Sequence, residues 1–260
     1  MPLLLDLLSS QFLVFTLVLT RVSGLAIVAP VYGTNEVPAQ VRGLLAFALA
    51  LLITPAQLGV SIDPPRTILN YFVLIGGEVL IGLTLGVGVM ILFSGVQLAG
   101  QVIAQLSGLS LADVFNPGFD TSVPLISQFL YMFALAIYVI SGGHRILMAG
   151  LLGTFSSIPP GAAGLSTSIA DAMSILITES FTLGVRVAAP ATVALLLATV
   201  VMGLISRTLP QLNILAVGFG INALALFGSI AVSLGGLAWM FQEQIEPAVE
   251  LLLEAFQGSS

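Results

Sequence analysis

The sequence predicts an all-α integral membrane protein, and three observations carry that reading. Of its 260 residues, 58% are hydrophobic and only 7% charged, with a mean hydropathy of +1.14. A water-soluble domain of this size has no interior large enough to hide so much apolar surface. Most of its apolar runs equal or exceed the roughly 20 residues that cross a bilayer. They also lack the alternation of a transmembrane barrel strand, so helices are the remaining way to satisfy their backbone in lipid.

About six long or broken helical segments follow in order. Residues 12–30 make a span of ordinary length with Arg21 inside it. Residues 43–58 are shorter and end near Pro55. Residues 68–99 run well past one span and hold Glu78. After residues 125–141 comes a second overlong run, 168–205, containing Glu179, Arg186 and Pro190. The last apolar run, 214–241, leads into an amphipathic piece from Gln242 to Phe256. There Glu243, Glu246, Glu250 and Glu254 fall on one helical face and Ile245, Val249, Leu252 and Phe256 on another. Such an acidic stripe is a solvated side, a dock for a basic partner, or the mouth of a cation-attracting passage. Asp6 and the lack of a positive n-region argue against a signal peptide, so a retained N-terminus is expected.

The most informative stretch follows residue 96. Gln97, Gln101 and Gln105 stand four residues apart and line one helical face, with Gly100, Ala104 and Gly108 beside them. The pattern then breaks into a loop with Asp113, Val114, Phe115, Asn116, Pro117 and Gly118, followed by Phe119. A polar ribbon leading into an aromatic-tipped loop suggests a wet passage or a subunit interface; glutamines bonding between packed helices are the plainer alternative. Gly82–Gly86 is a small-xxx-small spacing of the kind that lets helices approach closely.

Charge and motifs exclude several functions. Six arginines, no lysine and twelve acids give a net charge of −6, which argues against binding nucleic acid. The absence of cysteine removes disulfides, thiolate catalysis and cysteine metal sites. No metalloprotease, P-loop or dinucleotide motif is present, so no enzyme activity, cofactor or metal is expected. The single histidine, His144, follows two glycines and marks a helix end or interface. Four loop arginines, Arg42, Arg66, Arg145 and Arg207, divide evenly between the two sides of a six-span layout, so the positive-inside rule sets no orientation. The intramembrane charges Arg21, Glu78, Glu179 and Arg186 are expected to be buried, either as packing pairs or as part of an ion pathway. Glu179 and Arg186, seven apart, share a face, whereas sequence spacing does not decide whether Arg21 meets Glu78.

Several short motifs occur together in order. They are Arg21-Val22-Ser23-Gly24 with Ala29-Pro30, Val37-Pro38 with Arg42, Gly77-Glu78-Val79-Leu80-Ile81-Gly82, Ala99-Gly100 through Pro117, Gly142-Gly143-His144, and Pro210-Gln211-Leu212-Asn213-Ile214 with Val217-Gly218-Phe219. In this arrangement, from about residue 10 to 240, the chain resembles the FliR family of flagellar protein export, related to SctT of virulence-type secretion. The resemblance implies an export-gate subunit at the flagellar basal body, in the bacterial inner membrane. P-type and Q-type gate subunits would be its partners, with the larger B-type and A-type components, unfolded export substrates and membrane lipid. It implies a P-like region over residues 1–206 and a Q-like helical hairpin over 207–260, ending in the acidic tail. It assigns the loop at about 106–120, with Val114 to Phe119, to a channel plug. Gly82, Gly100 and Gly108 become packing sites against P subunits, and the intramembrane charges become intersubunit pairs. Much of the family's core stands out of the bilayer plane, which would account for overlong helices and the arginine tie. The alternative is a secondary transporter for a small solute, with Glu78, Glu179 and Arg21 at a midplane site.

Overall fold

The computed structural model describes residues 2–33, 37–60, 62, 65–108, 124–162, 167–209, 211 and 214–258, without the side chains of 2–9 and 214–216. These residues form seven helices and no strand: α1 (Pro2–Val28), α2 (Ala39–Gln57), α3 (Ile68–Ser107), α4 (Leu125–Ile140), α5 (Gly143–Ser157), α6 (Thr167–Thr208) and α7 (Ile214–Gln257). Five are long and apolar enough to cross a membrane, or six if α4 and α5 make one broken span. The protein is an all-α integral membrane protein.

Local chemistry sets most boundaries. Pro38, with φ −56° and ψ 142°, precedes α2 and fixes its start. Pro55 lies inside α2, where its missing N–H leaves the Leu51 carbonyl without that donor, and the helix ends two residues later at Gln57. Between α4 and α5, Gly142 adopts φ +79°, a conformation that ends one helix before the next begins. The second helix, α5, was not expected as a separate element. Its signal is Leu147, Leu151 and Phe155 at fourfold spacing, all buried. It stops where Ile158 turns extended ahead of Pro159. The acidic tail likewise belongs to α7, which runs unbroken for 44 residues through Pro247.

The chain divides into two compact units. The first comprises Met1–Ile91, Gly142–Leu176 and Ile245–Ser260. In it α1 and α3 cross at backbone contact. A Cβ on Gly24 would lie 2.6 Å from the Val79 carbonyl oxygen, and one on Gly82 would collide with the Arg21 carbonyl. Around this crossing Leu17, Val18, Val22, Leu25 and Leu85 are fully buried. The tail of α7 packs Val249 against Gly150 and Leu252 against Gly88. Its glutamates at 246, 250 and 254 stay exposed.

The second unit comprises Leu92–Ser141 and Ile177–Gln244. Phe93 anchors it, with ring centroids 5.5 Å from Tyr131, 5.6 Å from Tyr138 and 4.9 Å from Phe241. Here α3 and α6 meet through glycines, a Cβ on Gly184 falling 2.6 Å from the Gly95 oxygen. Beside them the Ser94 and Ser180 hydroxyls are 3.4 Å apart. Leu196, Leu197, Val200, Val201 and Leu204 on α6 are exposed, as are Leu224, Phe227, Val232 and Trp239 on α7. Such surface is stable only against lipid or another protein.

Candidate functional site

Arg21 is the most tightly held polar group in the first unit. Its side chain is fully buried, as is that of Glu78. The Arg21 Nε donates to Glu78 Oε2 at 2.6 Å, one terminal nitrogen to Thr154 Oγ1 at 3.1 Å and the other to the Ile158 carbonyl at 3.0 Å. The Phe155 ring covers the guanidinium, 4.2 Å from its carbon to the centroid. The second carboxylate oxygen of Glu78 accepts the Gly161 N–H at 2.8 Å. Gly161 has φ +87° in a Pro159-Pro160-Gly161-Ala162 turn closed by a 3.0 Å Ala162-to-Pro159 bond. Proline second and left-handed glycine third are the requirements of a type II turn. The buried pair thus clamps this turn and the end of α5 to α1 and α3.

Sequence reasoning found Arg21 and Glu78 but missed Thr154, Ile158 and Gly161. The Pro-Pro-Gly run was a legible turn signal, while its carboxylate partner 83 residues away was not. The Arg21–Glu78 pair lies within one chain, which corrects the reading as an intersubunit pair. With every strong bond already made internally, these groups also form no open midplane solute site.

The other candidates separate from this cluster. Glu179 and Arg186 are exposed on α6, which corrects the expectation that they are buried. Glu179 accepts a long 3.5 Å bond from Gln244 Nε2, and among the described residues no ion pair joins it to Arg186. Being seven apart leaves them two helical turns, about 10 Å, from each other. Gln97 is half-buried and Gln101 and Gln105 are exposed, so the ribbon faces outward from the folded chain. The backbone at Gln97 is held by the Ser127 hydroxyl, which donates to the Gln97 main-chain carbonyl at 2.8 Å.

The glycines also need correction. Gly82 packs on Arg21 of α1 and Gly100 on Ser127 of α4, so neither is free for another subunit. Gly108, with φ +75°, terminates α3, and among the described residues no atom lies within 4 Å of a Cβ built on it. Val114, Phe115, Asn116, Pro117, Gly118 and Phe119 lie outside the described residues. His144 stands in the first turn of α5, with Nδ1 buried and without a hydrogen-bond partner among the described residues. Among the described residues no group of three metal-ligating side chains gathers.

Comparison with known proteins decides the family. The family described as bacterial export proteins, family 1, matches residues 12–248, nearly the whole chain. The chain belongs to the FliR family. It is 26% identical over 242 residues to the flagellar biosynthetic protein FliR of Caulobacter vibrioides, covering 93% of this chain and 96% of that one. It is 30% identical to FliR of Bacillus subtilis over 223 residues, covering 83% and 84%. FliR of Escherichia coli is 30% identical over 203 residues, covering 77% and 76%. For a FliR-family chain, the matched region runs from within α1 to within α7 and includes both Arg21 and Glu78.

Proposed function

We propose that this protein is a structural, non-enzymatic subunit of the flagellar type III export gate in the bacterial inner membrane. It forms part of the passage for unfolded substrates and contributes the plug. The observation that carries the reading is a family match over residues 12–248 together with the exposed glutamines at 101 and 105. Those glutamines stand in the last turns of α3, just ahead of the segment at about 106–120 expected to act as the plug. Residues 1–206 act as the P-like part and 207–260 as the Q-like part, which forms the single long helix α7 and not the expected hairpin, because its helical pattern continues through Pro247 without a turn. P-type and Q-type subunits cover the exposed apolar faces of α6 and α7, and the B-type and A-type components join the same gate. Outward-facing glutamines are poor neighbours for lipid and good ones for water or a polar partner.

The test is co-expression with the host's P-type and Q-type subunits, a tag on this chain alone, and native mass spectrometry of the purified complex. One copy of this chain with several P and Q subunits is expected. Changing Gln97, Gln101 and Gln105 together to leucine should leave membrane insertion intact but reduce assembly or export. A stable monomer or homodimer without either partner would refute the reading. Normal motility of the triple variant would remove the glutamines from it.

The plug has its own prediction. A narrow apolar constriction closes a pore by dewetting it. Phe115→Ala, or deletion of residues 114–118, is therefore expected to make the assembled complex leak ions in planar bilayers. Conductance equal to that of the unaltered complex would count against a plug at this loop.

A further inference from the structure

On α6 the outward surface repeats every seven residues. One position of the repeat is Glu179, Arg186, Val193, Val200 and Arg207, all of them exposed. The position three residues on is Thr182, Ala189, Leu196 and Gly203, exposed except for the half-buried Thr182. Alternating steps of three and four average about 3.5 residues, the period at which one helix packs along another in a left-handed pair. This seam is separate from the face that α6 buries inside its own unit, where Val187, Ala191, Leu195 and Met202 are covered. A helix apolar on both faces belongs inside a body larger than its own chain.

The charges on the seam narrow what covers it. Arg207 falls in the last turn of α6, where a cation complements the negative helix end without any partner. Glu179 and Arg186 stand well inside the helix, and among the described residues no ion pair reaches either. Large apolar side chains flank them on both sides, Ile177, Phe181 and Val185 before and Val193, Leu196 and Val200 after, each 50% to 60% exposed. A lipid headgroup is met where apolar surface gives way to polar, and here it does not. Acyl chains cannot solvate an ion, and water is a poor neighbour for so much contiguous apolar surface. A protein helix with charges of opposite sign satisfies both the ions and the apolar side chains. At an inward position of a helix pair, an unmet charge lowers stability, so such residues select the partner and its register.

We propose that the outer seam of α6 docks one helix of another gate subunit. That helix is apolar where it faces Val193, Leu196 and Val200, with a base opposite Glu179 and, two turns away, an acid opposite Arg186. Ala189 and Gly203 let it approach closely; among the described residues a Cβ on Gly203 meets nothing within 4 Å. The proposal rests on the export reading, which supplies the other subunits, and adds which surface recognises them and by what chemistry. A second copy of α6 running antiparallel would also match the two charges, and the experiment tells the two occupants apart.

The full chain is co-expressed with the host's P-type and Q-type subunits, and the purified complex is read by native mass spectrometry. Arg186→Glu and Glu179→Arg each bring like charges face to face and should lower the yield of complex about tenfold. Both side chains are exposed, so thermal unfolding of the purified chain should not change. The exchange variant, Glu179→Arg with Arg186→Glu, should stay low in yield, because the partner's charges are unaltered. Restoration by the exchange would mean pairing within the chain or between copies, and overturns the proposal. Unchanged yield in both single variants overturns it and leaves the export reading standing, whereas no complex with the unaltered chain refutes both. A photo-crosslinker at Val193, in an otherwise unaltered chain, should join a P-type or Q-type peptide carrying an acid about seven residues from the crosslinked position. Crosslinks to lipid alone, or to a second copy of this chain, overturn the proposal.

Discussion

Arg21→Ala is expected to destabilise the folded chain by about 3–5 kcal/mol, the usual penalty for stranding one partner of a buried ion pair. The stranded partner is Glu78, fully buried and left with the Gly161 N–H as its remaining bond. Thr154 and the Ile158 carbonyl lose the donors that reach them. Glu78→Ala should be comparably damaging, since it leaves the guanidinium without its counter-charge. The double variant Arg21→Leu, Glu78→Leu should recover part of the loss, because no charge then stays unpaired. Recovery stays incomplete, as the Gly161 N–H and Ile158 carbonyl still lack partners, at about 1–3 kcal/mol each. Thermal unfolding of the purified chain in detergent measures all three. Single variants as stable as the unaltered protein would show that the pair does not clamp the turn.

Gly82→Leu is the second large effect. Any Cβ at this position meets the Arg21 carbonyl, and its next neighbour, the Leu25 amide nitrogen, would be 2.8 Å away. Backbone atoms cannot move aside as a flexible side chain does, so α1 and α3 must separate. A loss of about 3 kcal/mol or more is expected, at or beyond the upper range for overpacking. Gly228→Leu is the control, because among the described residues a Cβ there meets nothing within 4 Å. The same unfolding assay should find the control close to the unaltered protein. Equal stability of the two variants would mean that the α1–α3 crossing is loose.

The features legible in the sequence are those written in short-range pattern. Hydropathy located every helix long enough to span, and the charges at 21 and 78 announced themselves by standing in hydrocarbon. The paired glycines before His144 located the break at Gly142, whereas the equally local break ahead of Pro159 went unread because α5 itself was not expected. What stayed illegible depended on distance along the chain. Seven-residue spacing made Glu179 and Arg186 look like a pair, yet it fixes only a shared face, and that face is exposed. The Arg21 cluster joins residues 57, 133 and 137 positions apart, which no periodicity encodes. The glycines behaved similarly: spacing marked Gly82 and Gly100 as packing sites but not whether the neighbour was this chain or another. The tail showed the reverse case: the apolar face of Ile245, Val249, Leu252 and Phe256 was legible and is buried, while its continuity with α7 escaped notice because the pattern changes near Gln242.

The span of the Arg21 cluster also bears on how the protein is made. Glu78 leaves the ribosome 57 residues after Arg21, and the Ile158 carbonyl 137 residues after it. At about 5–20 residues per second, α1 waits for seconds before its counter-charge is synthesised, and longer before the turn closes over it. During that interval an arginine in mid-span carries an insertion penalty of about 2.5–3.5 kcal/mol. Nascent α1 is therefore a reluctant membrane segment that becomes a settled one when α3 arrives. Insertion and tertiary pairing are coupled events in this chain, with the first helix committed to the bilayer by a residue of the third.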